Sequence, residues 1–173
     1  MFMKKHIDVF DYAGIICKAT GKGVLLTTKS GDEVNTMTIG WGTIGIEWSK
    51  PVFVAYVRES RHTRKLLDET GEFTVNIPLE AVDRNILAVC GTKSGRDLNK
   101  IEALNLTLEE PDQISVPGIK ELPLTIECKV LFRNVQDESR LPEPIRTRFY
   151  TGGNDADYHI AYYAEIVSAY IIE

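Results

Sequence analysis

The sequence predicts a mainly β protein that folds as a closed or partly closed antiparallel barrel with a few peripheral helices. Three observations predict it: several segments are rich in β-branched and aromatic residues, few show helical periodicity, and strands and helices do not alternate regularly. Closing the sheet into a barrel removes exposed edges, which matters in a chain of 173 residues. Because that length suits one hydrophobic core, we expect a single domain over residues 1–173.

Four strand-like segments precede or flank the first helix. Residues 23–28 and 34–40 are expected to form a hairpin around the polar turn at 29–32, and the glycines at 42 and 45 to loosen the chain afterwards. Residues 51–57 are nearly continuous in β-formers, with a proline at the start, and predict a strand deep in the sheet. Residues 72–78 predict a further strand, with Phe73, Val75 and Ile77 on one face.

Two helices are predicted in the middle of the chain. The first covers residues 63–70, with Ser60 or Thr63 as its cap and Gly71 at its end. The second covers residues 81–89, where apolar side chains recur at helical spacing.

The second half of the chain is predicted to hold a charged loop and two strands. The loop covers residues 91–100, and the strands cover 124–132 and 159–172. The strand at 124–132 alternates apolar and polar residues, which predicts one solvated face. Between the strands, prolines and glycines within residues 137–155 predict a surface excursion.

Composition and charge exclude several classes of protein. Hydrophobic residues make up 43% and charged residues 26%, which excludes a disordered chain. The formal net charge of -5 and the pI of about 5.3 give no general attraction for nucleic acid, so we expect none to bind. Uncharged apolar stretches fall short of a membrane span, and the first residues lack a signal-peptide core. We therefore expect a cytoplasmic protein with no membrane contact.

The cysteines and histidines indicate neither disulfides nor a metal site. Cys17, Cys90 and Cys128 are widely spaced and odd in number, and no histidines are paired at ligand spacing. Cys90 precedes a glycine-containing loop and is the candidate for a reactive thiol, but no histidine near it in sequence could activate it.

Three segments and one histidine could bind a ligand, each with a plainer interpretation beside it. Residues 35–43 place amide, hydroxyl and indole groups at a strand end, which suits a flat heterocycle or simply a solvated strand face with a core tryptophan. Residues 58–64 bring three arginines and two hydroxyls to a helix start, which favours a phosphate; alternatively, the arginines pair with acidic neighbours. The loop at 91–100 could form a second wall around an anion, or be solvated. His159 could hydrogen-bond a cofactor edge or donate a proton near neutral pH, or be structural.

The order of these segments resembles the flavin reductase-like family, and its flavoredoxin-type branch most of all. The resemblance spans almost the whole chain, with the first 22 residues and the excursion before Asp157 less well covered. The segments that carry it are Gly23-Val24-Leu25-Leu26-Thr27-Thr28, Asn35-Thr36-Met37-Thr38 with Trp41, Pro51-Val52-Phe53-Val54-Ala55-Tyr56-Val57-Arg58, Ser60-Arg61-His62-Thr63, Glu72-Phe73-Thr74-Val75-Asn76-Ile77-Pro78, Ser94-Gly95-Arg96-Asp97, and Tyr158-His159 with Tyr163-Ala164-Glu165-Ile166-Val167.

The resemblance implies an antiparallel Greek-key split β-barrel that binds FMN, as a homodimer with each FMN at or near the subunit interface. It places residues around the isoalloxazine, around the phosphate and ribityl chain, and in a loop that completes the pocket. Those around the isoalloxazine are Asn35, Thr36, Met37, Thr38 and Trp41; those at the phosphate and ribityl chain are Arg58, Ser60, Arg61 and Thr63; those that complete the pocket are Ser94, Arg96, Lys100 and His159.

Two functions are compatible with the resemblance. The first is an NAD(P)H:flavin oxidoreductase that transfers hydride from NADH or NADPH to FMN and on to an acceptor, with His159 as the candidate catalytic residue. The second is a flavoredoxin-like carrier that takes electrons from a redox protein and does not use nicotinamide. A blander third possibility is a split barrel that has lost flavin, against which the arginine cluster argues.

Overall fold

The computed structural model describes residues 2–152 and 157–173, and one antiparallel sheet dominates it. In this part of the chain, eight strands join the sheet: β1 (Lys4–His6), β2 (Val24–Ser30), β3 (Glu33–Ile39), β4 (Gly42–Glu47), β5 (Lys50–Arg58), β6 (Glu72–Ile77), β9 (Leu124–Val135) and β10 (His159–Ile172). Two short strands, β7 (Leu108–Glu109) and β8 (Gly118–Ile119), form a separate pair. The order in the sheet is β3-β2-β6-β9-β10-β5-β4.

Strand β10 organises the sheet because it pairs along both of its edges. One edge pairs with β9, and the other pairs first with β5 over His159–Glu165 and then with β1 over Tyr170–Ile172. Strand β5 therefore lies between β10 and β4, and its residues 52–55 are buried, which confirms the predicted deep strand.

The helices lie at the periphery of the sheet. They are α1 (Ala13–Thr20), α2 (His62–Thr70), α3 (Arg84–Thr92), α4 (Lys100–Ala103) and α5 (Glu143–Phe149), with 3-10 turns at Val9–Tyr12 and Glu138–Arg140. The predicted helix at 63–70 is confirmed as α2. The helix predicted at 81–89 begins three residues later, because the Asp83 side chain accepts a hydrogen bond from the Asn85 N–H and caps it there. It also continues to Thr92, into the segment predicted as a loop.

The cap predicted for α2 is wrong. The N-cap residue is Arg61, in extended conformation and with no side-chain cap hydrogen bond. Both predicted capping side chains have other partners: Ser60 Oγ donates to Asp157, and Thr63 Oγ1 accepts from Asn35. Gly71 ends the helix in the left-handed conformation, as predicted.

The hairpin predicted near the start of the chain is confirmed, but the strand that follows it was not predicted. β2 and β3 pair from Val24↔Ile39 to Ser30↔Glu33. The glycines at 42 and 45 do not loosen the chain; they lie in β4, which pairs with β5. A Cβ at Gly42 would lie 2.6 Å from the Phe53 ring, so glycine is what lets β4 lie against that side chain.

The core lies on the inner face of the sheet. Phe73, Val75 and Ile77 all point into it, as their alternation predicts. The prediction of a half-solvated strand at 124–132 is wrong, because residues 124–128 of β9 are buried on both faces and all the following residues except Val130 are exposed. The segment before β9 covers its outer face: both Glu127 carboxylate oxygens accept backbone N–H groups, from Asp112 and Gln113.

A second, smaller core holds α3 and α4 against the outer face of the sheet. It joins Leu25 of β2 to Ile86 and Cys90 of α3 and to Leu106, Ile119 and Leu122. This packing brings the loop between α3 and α4 beside the start of α2. The predicted surface excursion holds the second 3-10 turn and α5, and its residues 153–155 lie outside the described residues. Within the part of the chain that the structure describes, no helix is long and apolar enough to span a bilayer.

Candidate functional site

Two adjoining cavities lie where β3, the β5–α2 turn and the α3–α4 loop meet. Met37 and Arg61 line both of them, so the two cavities adjoin, and together they are called the cleft. The cationic cavity, of about 310 Å³, is lined by Asn35, Met37, Ser60, Arg61, His62, Thr63, Thr92, Lys93, Ser94, Gly95, Arg96 and Lys100. The Trp41 cavity, of about 170 Å³, is lined by Met37, Thr38, Ile39, Gly40, Trp41, Tyr56, Arg58, Arg61 and His159.

The start of α2 gives the cationic cavity its main electrostatic feature. Arg61 adopts extended backbone geometry, and α2 then begins at His62 with no side chain capping its first N–H groups. Those N–H groups and the helix dipole favour an anion. The cavity lies at this helix end, since residues 60–63 line it.

Hydrogen bonds to backbone carbonyls hold the cationic side chains in place. Arg61 Nη1 donates to the Gly91 carbonyl at 3.1 Å, and both terminal nitrogens of Arg96 lie 3.3 and 3.4 Å from the Ser60 carbonyl. A guanidinium carries five N–H donors, so each arginine keeps donors for a ligand. Lys100 is only 3% exposed and donates to the Lys93 carbonyl; burial lowers the pKa of Lys100, which Cys90 opposes and Arg61 reinforces.

The hydrogen bonds of Arg58 differ from those of Arg61 and Arg96. Its guanidinium donates to the carbonyls of Phe149 and Asp157, so it ties the segment after α5 to the end of β5. Asp157 also accepts from the Ser60 N–H at 2.9 Å and from Ser60 Oγ. Arg58 and Ser60 therefore shape the cleft and also anchor this segment.

The third arginine of the predicted cluster follows the plainer interpretation. Arg64 lies outside both cavities and pairs with Asp68 at 3.0 Å, one turn further along α2. The alternative of arginine pairing with acidic neighbours is thus correct for Arg64.

The wall of the cationic cavity formed by Asn35, His62 and Gly95 is tightly fitted. Asn35 Nδ2 donates to Thr63 Oγ1 at 2.8 Å, and His62 Nε2 lies 2.6 Å from a Glu33 carboxylate oxygen. The other ring nitrogen of His62, Nδ1, is buried and has no partner among the described residues. A Cβ at Gly95 would lie 2.3 Å from Asn35 Oδ1. The uncapped helix N–H groups and the several cations of this cavity fit a phosphate-bearing ligand.

His159 lies between the Trp41 cavity and a third, apolar cavity. Its Nδ1 is 2.8 Å from the Tyr150 hydroxyl, and its ring centroid is 4.8 Å from that of Trp41. Burial lowers the pKa of His159 to about 4, with the Arg58 charge adding to the effect. The expectation of a proton donor near neutral pH is therefore corrected: the ring is a neutral imidazole there.

A short hydrogen-bond chain orients that imidazole. Gln136 Oε1 accepts a hydrogen bond from the backbone N–H of His159 at 3.4 Å, so the Gln136 amide NH2 is left to donate to the Tyr150 hydroxyl. Burial raises the pKa of Tyr150, which keeps its proton available for His159 Nδ1. In this arrangement His159 Nε2 carries the ring proton and is a hydrogen-bond donor.

The structure brings all but one of the predicted site residues to the cleft, and the exception is Thr36. Strand alternation puts Asn35 and Met37 on the inner face of β3 and Thr36 on the outer face. The Thr36 hydroxyl is buried there, where it donates to the Leu26 carbonyl and accepts from Thr27. Thr38 lines the Trp41 cavity, although its hydroxyl donates to Leu87 of α3.

Sequence analysis missed or undervalued several residues at the cleft. His62 and Lys93 lie in segments that were singled out, so their position beside Arg61 and Ser94 was the available signal. Tyr56 lines the Trp41 cavity, and Tyr150 lies behind it, hydrogen-bonded to His159. Neither tyrosine carried such a signal, because only the folded sheet brings them to the site. Cys90 is buried in the smaller core that holds α3 against the sheet. Burial raises the pKa of Cys90 to about 11, so it is a protonated core thiol and not a nucleophile. In the described part of the chain, no group of three His, Cys, Asp or Glu could hold a metal.

Fold and cleft together define an antiparallel β-barrel protein with a cationic pocket joined to an aromatic wall. Comparison with known families makes this specific: residues 19–173 match the model described as the flavin reductase like domain. The chain belongs to this family.

Two curated relatives share part of the sequence. An uncharacterized protein of Archaeoglobus fulgidus is 35% identical over 100 residues, which is 58% of this chain and 55% of the relative. An uncharacterized protein of Pyrococcus abyssi is 30% identical over 106 residues, which is 61% of this chain and 59% of the relative. The matches thus span less than two thirds of either relative's length.

Solved structures share the fold over most of the chain. An FMN-binding domain of a flavin reductases-like enzyme from Shewanella baltica has a TM-score of 0.68 and 17% identity, covering 99% of this chain and 78% of its own. Flavoredoxin of Desulfovibrio vulgaris has a TM-score of 0.66 and 22% identity, covering 87% and 69%. An NADH:FAD oxidoreductase of Streptomyces globisporus has a TM-score of 0.60 and 18% identity, covering 85% and 74%. These likenesses confirm the predicted fold class, a mainly β split barrel.

Proposed function

We propose that the protein binds FMN without a covalent bond, with the phosphate in the cationic cavity and the isoalloxazine toward Trp41. The observation that carries this proposal is that a cationic cavity and an aromatic cavity adjoin at Met37 and Arg61, in a member of the flavin reductase like family. A ligand that is anionic at one end and aromatic at the other matches this arrangement. Both cavity volumes together fall within the range of roughly 300–1,000 Å³ that is usual for small-molecule sites.

The phosphate would be held by backbone and side-chain donors from two elements. The first N–H groups of α2 and the Arg61 guanidinium approach from one side, and Arg96 and Lys100 approach from the loop before α4. Charge-assisted hydrogen bonds of this kind are about twice as strong as neutral ones.

The aromatic part of the ligand would lie against Met37 and Trp41. The Trp41 side chain is 40% exposed, so a planar ring placed there would remove its indole from water. His159 offers its Nε2–H to the edge of such a ring, and Arg58 adds positive charge to the same cavity.

We further propose that the protein is an NAD(P)H-dependent flavin reductase. Bound FMN would supply the hydride-accepting chemistry, with the hydride taken from NADH or NADPH and passed on to an acceptor. The contribution of the chain is then to orient the ring system through Trp41 and His159 and to exclude water from it. The electron carrier without nicotinamide activity remains the competing function.

Comparing FMN with riboflavin tests the phosphate assignment directly. Because the two flavins differ only in the phosphate, FMN should bind at least tenfold more tightly to protein freed of flavin, and the difference should shrink at high salt. Flavin fluorescence quenching gives both affinities. Equal affinities would contradict the placement of phosphate in the cationic cavity.

The homodimer implied by the family resemblance is also a proposal. It is supported by an exposed apolar surface on the outer face of the sheet, where Trp48, Phe132 and Tyr163 pack within 6.5 Å of one another. A Phe132→Ser variant should weaken the dimer in analytical ultracentrifugation, and Phe10→Ser, on the first 3-10 turn, should leave it unchanged. A monomeric parent protein would refute the proposal.

A further inference from the structure

We propose that the third cavity is a separate binding site for an uncharged, planar aromatic molecule of one or two rings. This inference rests on the proposed function, because such a molecule would be the second substrate beside the flavin. The apolar cavity has a volume of about 550 Å³ and is lined by Cys17, Thr20, Gly21, Gly40, Trp41, Gly42, Tyr56, Gln136, Leu141, Ile145, Phe149, Tyr150 and His159. It shares Gly40, Trp41, Tyr56 and His159 with the Trp41 cavity.

The absence of formal charge around the apolar cavity indicates an uncharged ligand. Of the residues that the structure describes, no Asp, Glu, Lys or Arg lines it. The neighbouring cleft holds Arg58, Arg61, Arg96 and Lys100. An anionic group would meet no cationic side chain in the lining of the apolar cavity and would lose its hydration there.

The aromatic side chains indicate a planar ligand. The rings of Trp41 and Phe149 meet edge to face, with centroids 5.1 Å apart and planes at 87°. Helix α5 supplies Ile145 and Phe149 to one wall, and α1 supplies Cys17 and Thr20 to another. Ile145 and Phe149 are partly exposed, so an aromatic ligand between these walls would cover apolar surface that now faces water.

Few polar groups face the apolar cavity, and some already have partners. Thr20 Oγ1 donates to the Ile16 carbonyl, and Tyr150 is hydrogen-bonded to His159. The Tyr56 hydroxyl and the second amide hydrogen of Gln136 remain as groups that could meet one hydroxyl or carbonyl on the ring. This pattern of apolar walls with a few directed polar groups is typical of a site for a small organic molecule.

The location of the apolar cavity links it to the proposed chemistry. Trp41 and His159 form the partition between it and the Trp41 cavity, with ring centroids 4.8 Å apart. A ring bound in the apolar cavity would thus lie across this partition from the proposed isoalloxazine position. The lining of the apolar cavity therefore indicates that the second substrate is a neutral aromatic molecule.

Calorimetric titration of the FMN-loaded protein with 2-naphthol tests the inference. We expect saturable binding of one equivalent, and at least tenfold weaker binding of 2-naphthoate, which has the same rings and a negative charge. Ile145→Asp places a carboxylate in the wall and should weaken 2-naphthol at least tenfold. Met3→Asp makes the same kind of change at a side chain outside all three cavities and should have no effect.

Cys17 provides an independent readout of occupancy. It is exposed and lines the apolar cavity, whereas Cys90 and Cys128 are buried. Bound 2-naphthol should slow the alkylation of Cys17 by a maleimide, and the Ile145→Asp variant should lose that protection. Leu141→Asp, in the same wall, repeats the test if Ile145→Asp does not fold.

The outcomes separate this inference from the proposed function. FMN binding with no 2-naphthol binding, or 2-naphthol binding that is insensitive to both wall variants, overturns the inference and leaves FMN binding intact. Mutually exclusive binding of FMN and 2-naphthol also overturns it, because the apolar cavity would then belong to the flavin site. Failure of FMN to bind overturns the proposed function itself.

Discussion

The three arginines near the start of α2 have different environments, although they lie within seven positions of one another. Arg61 lines both cavities of the cleft, Arg58 lines one and anchors the segment after α5, and Arg64 faces away and pairs with Asp68. Their residue types alone could not separate these roles. The helix geometry separates the roles of Arg61 and Arg64, because Arg61 is the N-cap and Arg64 lies on the first turn.

Replacing Arg61 tests the phosphate contact. Arg61→Ala should weaken FMN by more than about 1 kcal/mol, because a charge-assisted hydrogen bond to the phosphate is lost. Arg58→Ala should also weaken FMN. Arg64→Ala removes the same charge outside the cleft and serves as the control. Equal FMN affinities in Arg61→Ala and Arg64→Ala, measured by fluorescence titration, would contradict the site.

Replacing His159 tests the proposed position of the flavin ring system, at the other end of the cleft from the phosphate. His159→Ala should leave FMN bound but slow its reduction by NADH about tenfold or more, because the donor that orients the ring system is lost. Tyr150→Phe keeps the imidazole and releases its Nδ1, so it should slow reduction less. Stopped-flow absorbance measures both rates. Unchanged reduction kinetics in His159→Ala would remove this residue from the mechanism.

At the scale of elements, the loop between α3 and α4 is held against β3 and α2 by close contacts. Gly95→Ala should lower FMN affinity severalfold, because its Cβ would displace the Asn35 amide and disturb the bond from Asn35 to Thr63. Gly91→Ala is the matched control: its Cβ would make only an ordinary contact, 3.5 Å from Thr38 Cβ, and alanine favours the helix. Fluorescence titration of both variants makes the comparison. A Gly95→Ala protein with parental affinity would show that this wall does not contact the ligand.

Elements with their own local signals were the ones that the sequence predicted. The β2–β3 hairpin, α2 with Gly71, and β6 with its alternation each carry a turn, cap or period. Strand β4 was missed because glycine is rare in strands, and only the packing of Phe53 explains Gly42. The burial of both faces of β9 depends on the covering segment at residues 106–122, which no local pattern of β9 reveals.

At the scale of the whole molecule, the site is predictable only as a set of segments. The sequence indicated the residues at the end of β3, the start of α2 and the loop before α4, but not that they meet. The sheet order places β3 at one end and β5 next to the other end, and yet Met37 of β3 and Arg61 after β5 line the same cavity. Thr36 shows the limit of segment-level prediction, since strand alternation turns it away from the cleft.

The buried, neutral His159 also makes folding stability depend on pH. Its pKa is about 4 in the folded protein against an ordinary value of 6.5, so the unfolded chain takes up the proton first as pH falls. Stability is therefore full above pH 6.5 and is lost progressively down to about pH 4, by up to about 3 kcal/mol. In His159→Asn, which keeps an acceptor for Tyr150, urea unfolding should show a smaller loss over this window. An equal loss in both proteins would show that His159 does not titrate in this way.

We propose above that this protein holds FMN where NADH or NADPH can reduce it. The most direct measurement is the absorbance spectrum of the FMN-loaded protein between about 300 and 550 nm, recorded during anaerobic addition of NADH and then NADPH. We expect a yellow protein whose flavin band bleaches rapidly with at least one of the two. A yellow protein that bleaches only with dithionite or a redox protein donor would contradict the reductase activity and identify an electron carrier. A protein that takes up no FMN would contradict both the reductase activity and the proposed FMN site.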